Sequence, residues 1–371
     1  MNLIFNKKKN VIILNMNKKI FIAATRQNDG KTVISLGLFK LLKEHFRNVG
    51  FMKPVGQKYI FVDKLKVDKD AVLMKKVFGL EDNLEYMNPI AVAEGFTRKY
   101  LERPEKEKYI QKIKNSFKKI SNNKDFILIE GTGHAGVGSI FDLNNAEIAS
   151  ALESPVILIS IGGIGRPFDE ISLNLPLFKE KGVEVKGVII NKIIPEKKSK
   201  VEKYLKKAFE KINLKVVGFI PYVDYLSEPD LFQICSAVNG KMISGYEKRS
   251  EKVRNIIVGA MTPRHALDYF TPHSLIITPG DREDIILAGL TGYPENCIKG
   301  IVLTGGLYPH KAILKLINKY NIPVIISPMD TYETASSINE LVVKITELDM
   351  DKIEIAAKLI KENIKIEEVI N

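Results

Sequence analysis

The sequence contains no tryptophan and only two cysteines among 371 residues. Cys235 and Cys297 cannot build a disulfide framework, so buried cores must stabilise the chain, which is long enough to form them. No apolar run reaches the ~18–20 residues of a membrane-spanning helix, and we expect no membrane partner. The first 15 residues lack a small-residue cleavage site, which argues against a signal peptide. These absences favour a cytoplasmic globular protein.

Arginine is also scarce, since it supplies nine of the 56 basic side chains. The formal net charge is +12, but residues 241–371 carry 16 basic and 17 acidic side chains, so the excess positive charge lies in residues 1–240. Much of it falls in the segments 101–125 and 192–215, which are typical of amphipathic helices with a solvated face. Because base recognition and bidentate phosphate binding favour arginine, we expect a lysine-rich surface and no nucleic-acid partner.

Short apolar runs rich in β-branched residues alternate with helical patterns, which predicts a doubly wound α/β protein with parallel strands buried on both faces. The predicted strands of the first domain are 19–24, 48–52, 125–130, 155–161, 185–191 and 215–220. The predicted helices between them are 31–46, 68–78, 105–120, 145–152, 168–181 and 196–212. The pattern loosens at 237–252. It restarts with strands 255–260, 274–278, 299–303 and 323–327, helices 264–270, 282–290, 310–319 and 332–345, and a final helix near 351–363.

A phosphate-binding loop is predicted between the first strand and the first helix, where Gly30-Lys31-Thr32 precedes an apolar helix. Gly30 lets backbone N–H groups approach a phosphate, and the helix N-terminus adds partial positive charge. Lys31 would reach the β- and γ-phosphates of a nucleotide, and Thr32 would bind Mg²⁺. The usual first glycine is missing, since Ala24 stands six residues before Gly30. The context indicates a nucleotide-binding protein that takes ATP and Mg²⁺, with Asp29 and Val33 completing the loop.

Charged side chains follow two other predicted strands. Glu130 ends the strand at 125–130, and carboxylates at this edge of a parallel sheet are placed to hold a metal ion. Lys53 follows the strand at 48–52, where it could hold a phosphate or a developing negative charge. Asp68 and Asp70 begin a helix, where favourable N-terminal charge alone would account for them. His134, in the glycine-rich segment after Glu130, is either a proton shuttle or the partner in a loop-fixing hydrogen bond.

In this order, the motifs of residues 18–235 resemble dethiobiotin synthetase and its P-loop relatives. The resemblance covers the spacing from Ala24 to Gly30 and four further segments. These segments are Lys53-Pro54-Val55, Asp70-Ala71-Val72, Glu130-Gly131-Thr132-Gly133 and Gly218-Phe219-Ile220-Pro221, with Asn191 at a strand end between the last two. The resemblance implies that Asp70 and Glu130 hold the metal, that Asn191 and Pro221 contact the nucleotide, and that Lys31 and Lys53 are catalytic. Arg26, Gln27 and Gln57 depart from the synthetase pattern, so its diamine substrate is not implied.

The second unit resembles a DRTGG domain, although Asp281-Arg282-Glu283-Asp284 replaces the motif that names it. A synthetase-like P-loop domain followed by a DRTGG domain resembles the N-terminal half of long bacterial phosphate acetyltransferases. Since the chain stops at Asn371, we expect a stand-alone form that is not a phosphate acetyltransferase by itself. Asp281 and Arg282 either cap a helix with a local salt bridge or form a regulatory anion or nucleotide site with Gly305 and Gly306.

We therefore expect an N-terminal extension at 1–17, a P-loop domain at 18–240, a DRTGG domain at 250–350 and a C-terminal helix at 351–371. Two functions stay open. The protein is either a regulatory nucleotide-binding module with slow ATP hydrolysis, or an ATP-dependent ligase that activates a small carboxylate or carbamate as an acyl-phosphate. Either function could involve a small-molecule substrate or effector and a homo-oligomer, a dimer or larger.

Overall fold

A computed structural model describes residues 18–291 and 298–371 of the chain. The expected extension at 1–17 and Cys297 lie outside the described residues. Contacts divide the rest into two units, one formed by residues 18–222 and 346–371 and the other by residues 223–345. By these contacts, residues 223–240 group with the second unit and the C-terminal segment groups with the first. None of the described helices is long and apolar enough to cross a membrane.

The first unit is built on a six-stranded parallel sheet with the order β10-β9-β8-β1-β7-β2. Its strands are β1 Lys18–Ala24, β2 Val49–Met52, β3 Val55–Gly56, β4 Tyr59–Val62, β5 Leu65–Asp68, β6 Ile90–Ala91, β7 Phe126–Glu130, β8 Val156–Ile161, β9 Val185–Ile193 and β10 Val216–Pro221. Its helices are α1 Lys31–His45, α2 Lys69–Phe78, α3 Leu84–Met87, α4 Phe96–Glu102, α5 Lys106–Ser121, α6 Asn145–Ala151, α7 Gly165–Glu180 and α8 Lys198–Glu210. The six predicted strands are the six strands of this sheet, which confirms the predicted fold class.

The central strands are buried on both faces because helices cover the sheet on each side. All five residues of β7 and the first five of β8 are buried, as expected for continuous apolar runs in a parallel sheet. Helix α8 shows the complementary pattern. It buries Val201, Leu205 and Phe209 and directs its lysines towards solvent.

Residues 53–91 form two small sheets that the sequence pattern did not predict. β3 pairs with β6 in parallel, and β4 pairs with β5 in an antiparallel hairpin. The hairpin turns at Asp63 and Lys64, which both have positive φ. Two-residue turns of this kind usually contain glycine or asparagine, and the absence of such a signal explains why the hairpin was missed.

The second unit contains a five-stranded sheet with the order β11-β15-β14-β13-β12, in which only β11 is antiparallel to its neighbour. Its elements are α9 Asp224–Ser227, α10 Leu231–Ala237, β11 Lys241–Ser244, β12 Asn255–Val258, α11 Pro263–Ala266, β13 Ser274–Pro279, α12 Glu283–Thr291, β14 Ile298–Thr304, α13 Lys311–Tyr320, β15 Val324–Ile326 and α14 Thr331–Asn339. The helix predicted over 332–345 therefore ends at Asn339. The loosely patterned stretch 237–252 contains β11.

Two C-terminal helices, α15 Met350–Asn363 and α16 Glu367–Ile370, return the chain to the first unit. Helix α15 packs against α1, and Gly37 allows the close approach. A Cβ at Gly37 would lie 2.3 Å from Cγ1 of Ile360 and 2.8 Å from the carbonyl oxygen of Ala356. After α15, Ile364 forms a bridge with Gly218 of the edge strand β10. The last helices are therefore part of the P-loop unit.

The substitution Gly37→Val is expected to destabilise the first unit by ~1–3 kcal/mol, because its side chain would be forced against α15 in a well-packed interface. Denaturant unfolding monitored by circular dichroism measures this change. Gly165→Val is the matched control, since Gly165 also lies in a helix but has no heavy atom within 4 Å of its Cβ position. Equal unfolding free energies for the two variants would show that α15 does not pack closely on α1.

Candidate functional site

The loop between β1 and α1 has the backbone conformation of a phosphate-binding turn. Gly30 has φ 98° and caps α1, and Asn28 also has a positive φ of 68°. A Cβ at Gly30 would lie 2.3 Å from Nδ2 of Asn191, which donates a hydrogen bond of 2.8 Å to the Asp29 carbonyl oxygen. Asn191 lies near the end of β9, so this strand, which is separated from β1 by β8, holds the loop closed. Glycine is required here by both the positive φ and the close contact.

Lys31 is the first residue of α1, followed by Thr32 and Val33 in the same turn. The Lys31 side chain is buried, and its Nζ donates a 2.9 Å hydrogen bond to the carbonyl oxygen of Gly133. Burial lowers the pKa of Lys31 to about 8, although the nearby Glu130 acts in the opposite direction. Burial disfavours the charged form of Lys31, and a bound anion would stabilise that form. Lys31 is therefore well placed to bind a phosphate.

Lys53 leaves β2 and enters a cluster of three carboxylates. Its Nζ contacts Asp70 Oδ2, lies 2.8 Å from Glu130 Oε1 and lies 3.7 Å from Asp68 Oδ1. Burial acts to lower the pKa of Lys53, but Asp70, Glu130 and Asp68 outweigh it and hold this pKa well above its usual value. The structure thus brings Lys53 together with Asp68, Asp70 and Glu130.

Glu130 has capacity for a further ligand. Burial raises the pKa of its carboxyl group, against the opposing effect of Lys53. Its Oε2 atom is buried and has no hydrogen-bond partner within residues 18–291 and 298–371. The buried Ser35 hydroxyl faces this carboxylate and acts to lower its pKa. A buried carboxylate oxygen with a hydroxyl beside it fits a site for a hydrated cation.

The donor set matches Mg²⁺ held partly by a nucleotide. Asp70 and Glu130 supply carboxylate oxygens, and Thr32 supplies a hydroxyl from the first turn of α1. Among the described residues, no group of three or more His, Cys, Asp or Glu side chains could hold a metal by itself. This agrees with Mg²⁺ chemistry, in which one or two carboxylates and substrate phosphates share the ion with water.

The Asp29 side chain forms hydrogen bonds within the loop. Its carboxylate points back under the loop, where Oδ2 accepts hydrogen bonds from Thr25 Oγ1 at 2.9 Å and from the Arg26 backbone N–H at 2.8 Å. Burial raises the pKa of Asp29 to about 6, although the hydrogen bond from Thr25 opposes this shift. The side chain braces the loop from within, so any nucleotide contact of Asp29 comes from its backbone.

The raised pKa of Asp29 makes stability depend on pH. The folded protein binds the Asp29 proton more readily than the unfolded chain, whose ordinary value is 3.8. Asp29 therefore contributes stability that is present below about pH 4 and is lost as pH rises through 6. Asp29→Asn should become more stabilising relative to the unmodified protein between pH 4 and 7, as measured by urea unfolding. Asp63→Asn, at an exposed turn, is the control, and a pH-independent difference for Asp29→Asn would contradict this assignment.

The sequence pattern did not reveal that Glu170 of α7 organises the start of the loop. Glu170 Oε1 lies 3.0 Å from Arg26 Nε and 2.9 Å from Arg166 Nε, while Oε2 accepts a hydrogen bond of 3.1 Å from Thr25 Oγ1. Thr25 Oγ1 also lies 3.0 Å from the Ser160 hydroxyl at the end of β8. No short motif marks Glu170, because its role arises only when α7 and the loop meet in space.

The glycine-rich segment after β7 is held by two asparagines. Asn145 accepts a hydrogen bond from the Thr132 backbone N–H and donates to the carbonyl oxygens of Thr132 and His134, and Asn174 accepts from the Ala135 N–H. His134 Nδ1 accepts a 3.2 Å hydrogen bond from the Gly136 N–H. Of the two roles left open for His134, the loop-fixing hydrogen bond is therefore present.

Asn191 and Pro221 lie at the carboxyl ends of the adjacent strands β9 and β10. Ligands of open α/β sheets bind outside this edge. Asn191 is buried against the loop, as described above, while Pro221 is half-buried. Their nucleotide contacts stay predictions.

In the candidate regulatory site of the second unit, Arg282, Gly305 and Gly306 form hydrogen bonds with other groups of the chain. Arg282 binds both carboxylate oxygens of Asp284, at 2.9 and 3.0 Å, and donates to the Met261 carbonyl oxygen at 3.0 Å. The backbone N–H groups of Gly305 and Gly306 donate to the carbonyl oxygens of Met329 and Ser327. The two loops do meet, because a Cβ at Gly280 would lie 1.9 Å from the Leu307 carbonyl oxygen. A local salt bridge, between Arg282 and Asp284, is therefore present. A ligand site at Asp281, Arg282, Gly305 and Gly306 stays a prediction.

The parallel sheet, the glycine-capped loop and the buried lysine that opens α1 define a protein with a P-loop NTPase-type fold. The chain belongs to the family whose sequence profile is described as "AAA domain", which matches residues 18–230. A second profile, described as "DRTGG domain", matches residues 233–341. The matches confirm the resemblance to synthetase-like P-loop and DRTGG domains.

Similar curated proteins fall into two groups. A phosphate acetyltransferase of Nitratidesulfovibrio vulgaris is 29% identical over 371 aligned residues, which cover 95% of this chain and 51% of that protein. The ATP-dependent dethiobiotin synthetase of Methanococcus vannielii is 30% identical over 203 residues, which cover 54% of this chain and 92% of the synthetase. The chain thus spans about half the length of the acetyltransferases it matches, and nearly all of the shorter synthetase.

Among solved structures, the MinD cell division protein of Aquifex aeolicus matches 56% of this chain and 84% of its own, with 15% identity and a TM-score of 0.35. The CBS and DRTGG domains of the regulatory region of Clostridium perfringens pyrophosphatase match 37% of this chain and 67% of their own, with 18% identity and a TM-score of 0.27.

Proposed function

We propose that the first unit binds ATP with Mg²⁺ and that the protein acts as a regulatory nucleotide-binding module with slow ATP hydrolysis. The observation that carries this proposal is the arrangement at one sheet edge. The Gly30 turn, the buried ammonium of Lys31 and the Asp70–Glu130 carboxylates lie together beside the N-terminus of α1. Positive backbone ends, a buried lysine and acidic metal ligands are the parts that nucleotide phosphates require.

Each of these residues has a defined task in ATP binding. The backbone N–H groups around Gly30 hold the β-phosphate, and Lys31 exchanges the Gly133 carbonyl oxygen for β- and γ-phosphate oxygens. Thr32, Asp70 and Glu130 would hold Mg²⁺, which when bound supplies neutralisation of the phosphate charge. Asn191 and Pro221, at the ends of β9 and β10, contact the base.

Two features favour a regulatory role over a ligase. The positions that contact substrate in the synthetases carry different residues here. One of them is Arg26, whose side chain pairs with Glu170. A DRTGG domain is also attached to the P-loop unit. The second unit would receive or transmit a signal that depends on the nucleotide state, and its own ligand is not identified.

The likeness to dethiobiotin synthetase supports ATP-dependent ligation as a second candidate. In that reaction, an oxygen of a substrate carboxylate or carbamate attacks the γ-phosphorus of ATP, and the bond to the β–γ bridging oxygen breaks to release ADP. A nucleophile then displaces phosphate from the acyl-phosphate. Lys31 and Lys53 would stabilise the charge on the transferred group.

ATP turnover across a panel of small carboxylates and diamines separates the two candidates. The regulatory module predicts low turnover that no compound raises, with ADP release measured in the presence of Mg²⁺. Lys31→Ala supplies the background rate of contaminating ATPases. Stimulation well above the basal rate by one compound, absent in Lys31→Ala, would overturn the regulatory proposal in favour of the ligase.

A further inference from the structure

The ammonium group of Lys53 occupies the centre of the site that the metal ligands define. The side chain is 6% exposed, and its Nζ contacts Asp70 Oδ2 and lies 2.8 Å from Glu130 Oε1. Both oxygens are therefore within hydrogen-bond range of one nitrogen. They belong to the two carboxylates that would hold Mg²⁺ under the proposed function, so the lysine and the metal depend on the same atoms.

The dimensions of the two cations make these contacts mutually exclusive. Mg²⁺ binds oxygen at about 2.0–2.1 Å, so two of its ligands are at most about 4.2 Å apart. An ion held by the two oxygens that Lys53 contacts, Asp70 Oδ2 and Glu130 Oε1, would need the space that Lys53 Nζ now fills. A divalent ion and an ammonium group at hydrogen-bond distance from the same oxygens would also repel each other strongly in this buried site.

The charges of the cluster favour such an exchange. Asp68, Asp70 and Glu130 carry three negative charges when ionised, and Lys53 is the cation in direct contact with them. Removing Lys53 would leave these carboxylates with less compensating charge, which is costly in a buried site. Lys53 therefore compensates the negative charge of the carboxylates in the nucleotide-free protein, as a bound metal ion would.

We propose that Lys53 is a built-in placeholder cation that Mg²⁺ displaces from Asp70 and Glu130. This inference rests on the proposed function. The exchange needs only the side chain to move, because the backbone of Lys53 is fixed by hydrogen bonds from its N–H to the Met87 carbonyl oxygen and from Asn88 Nδ2 to its own carbonyl oxygen. The released ammonium group then becomes available for the phosphates, so Lys53 acts on the nucleotide only after the metal has arrived.

Divalent-metal binding to nucleotide-free protein tests the exchange. Mn²⁺ replaces Mg²⁺ as the probe, and unbound Mn²⁺ is counted by electron paramagnetic resonance. If Lys53 competes with the metal, Lys53→Met should bind Mn²⁺ at least ~10-fold more tightly than the unmodified protein. Lys76→Met is the matched control, because Lys76 lies on α2 with Asp70 but pairs with Glu347 at the surface. Its Mn²⁺ affinity should not change.

A folded Lys53→Met protein that binds Mn²⁺ no more tightly than the unmodified protein overturns the proposal. If this variant does not fold, the double variant Lys53→Met/Asp68→Asn removes one buried charge of each sign and keeps both metal ligands. The same tenfold gain is expected of it, and equal affinity in the folded double variant overturns the proposal as well. Because no nucleotide is present, this outcome is distinct from a failure of ATP binding.

Discussion

Lys31→Ala is expected to lower the affinity for Mg·ATP by about 100-fold. The ammonium group of Lys31 is buried at the start of α1 and would pair with phosphate oxygens, a charge-assisted interaction worth about 1.5–3 kcal/mol. The substitution removes one hydrogen bond, to the Gly133 carbonyl oxygen, so we expect the fold to be kept. Isothermal titration calorimetry measures the change directly.

The control for this experiment is Lys76→Ala, which removes an exposed lysine of the same unit. It separates loss of a specific contact from loss of general positive charge. Circular dichroism must show that both variants are folded. An ATP affinity of Lys31→Ala equal to that of the unmodified protein would remove the phosphate-binding role of the loop.

Gly30→Val is expected to impair both ATP binding and stability, with an affinity loss of at least ~30-fold. Valine must adopt a φ of 98°, which β-branched residues rarely adopt, and its Cβ would lie 2.3 Å from Asn191 Nδ2. Either the loop opens or the Asn191 side chain turns away, and both changes break the hydrogen bond from Asn191 to the Asp29 carbonyl oxygen. Calorimetry and urea unfolding measure the two effects.

Gly79→Val provides the matched control for backbone strain. Gly79 also has a positive φ, of 62°, but no heavy atom lies within 4 Å of its Cβ position. This control should lose stability and keep its ATP affinity. If Gly30→Val behaved in the same way, the closed conformation of the loop would not matter for nucleotide binding.

The sheet of the first unit was predictable from the sequence because its signals are local. Each of the six strands is a continuous apolar run, and burial on both faces of a parallel sheet requires such runs. The loop at Gly30 was predictable for the same reason, since glycine, lysine and threonine act within one turn. The hairpin at β4–β5 lacks these signals and was missed.

The place of the C-terminal helix was not predictable, although its existence was. The apolar stripe of α15 predicts that one face of this helix is buried, but the stripe does not identify the element that it packs against. Only the structure shows that Gly37 on α1 packs against Ile360, which lies more than 300 positions further along the chain. The division of the chain depends on this long-range contact, which sequence periodicity does not contain.

The candidate site shows the same contrast. Lys53 and Glu130 could be predicted because strand ends of a parallel sheet meet at one edge. Lys31 could be predicted from the Gly-Lys-Thr loop, and Asp70 from the family resemblance. The contacts of Lys53 with Asp70 and Glu130 could not be predicted. The sequence suggests a phosphate partner for Lys53, whereas the structure places this side chain among carboxylates. The inward direction of Asp29 and the contacts of Glu170 likewise depend on side-chain orientations that no motif specifies.

A crystal structure of the protein with a non-hydrolysable ATP analogue and Mg²⁺ tests the proposed ATP site most directly. We expect the phosphates inside the turn around Gly30, with Lys31 on the β- and γ-phosphates and the metal in contact with Thr32, Asp70 and Glu130. Crystals grown with saturating nucleotide that show this turn without phosphates, or the nucleotide bound elsewhere, would contradict the proposed ATP site.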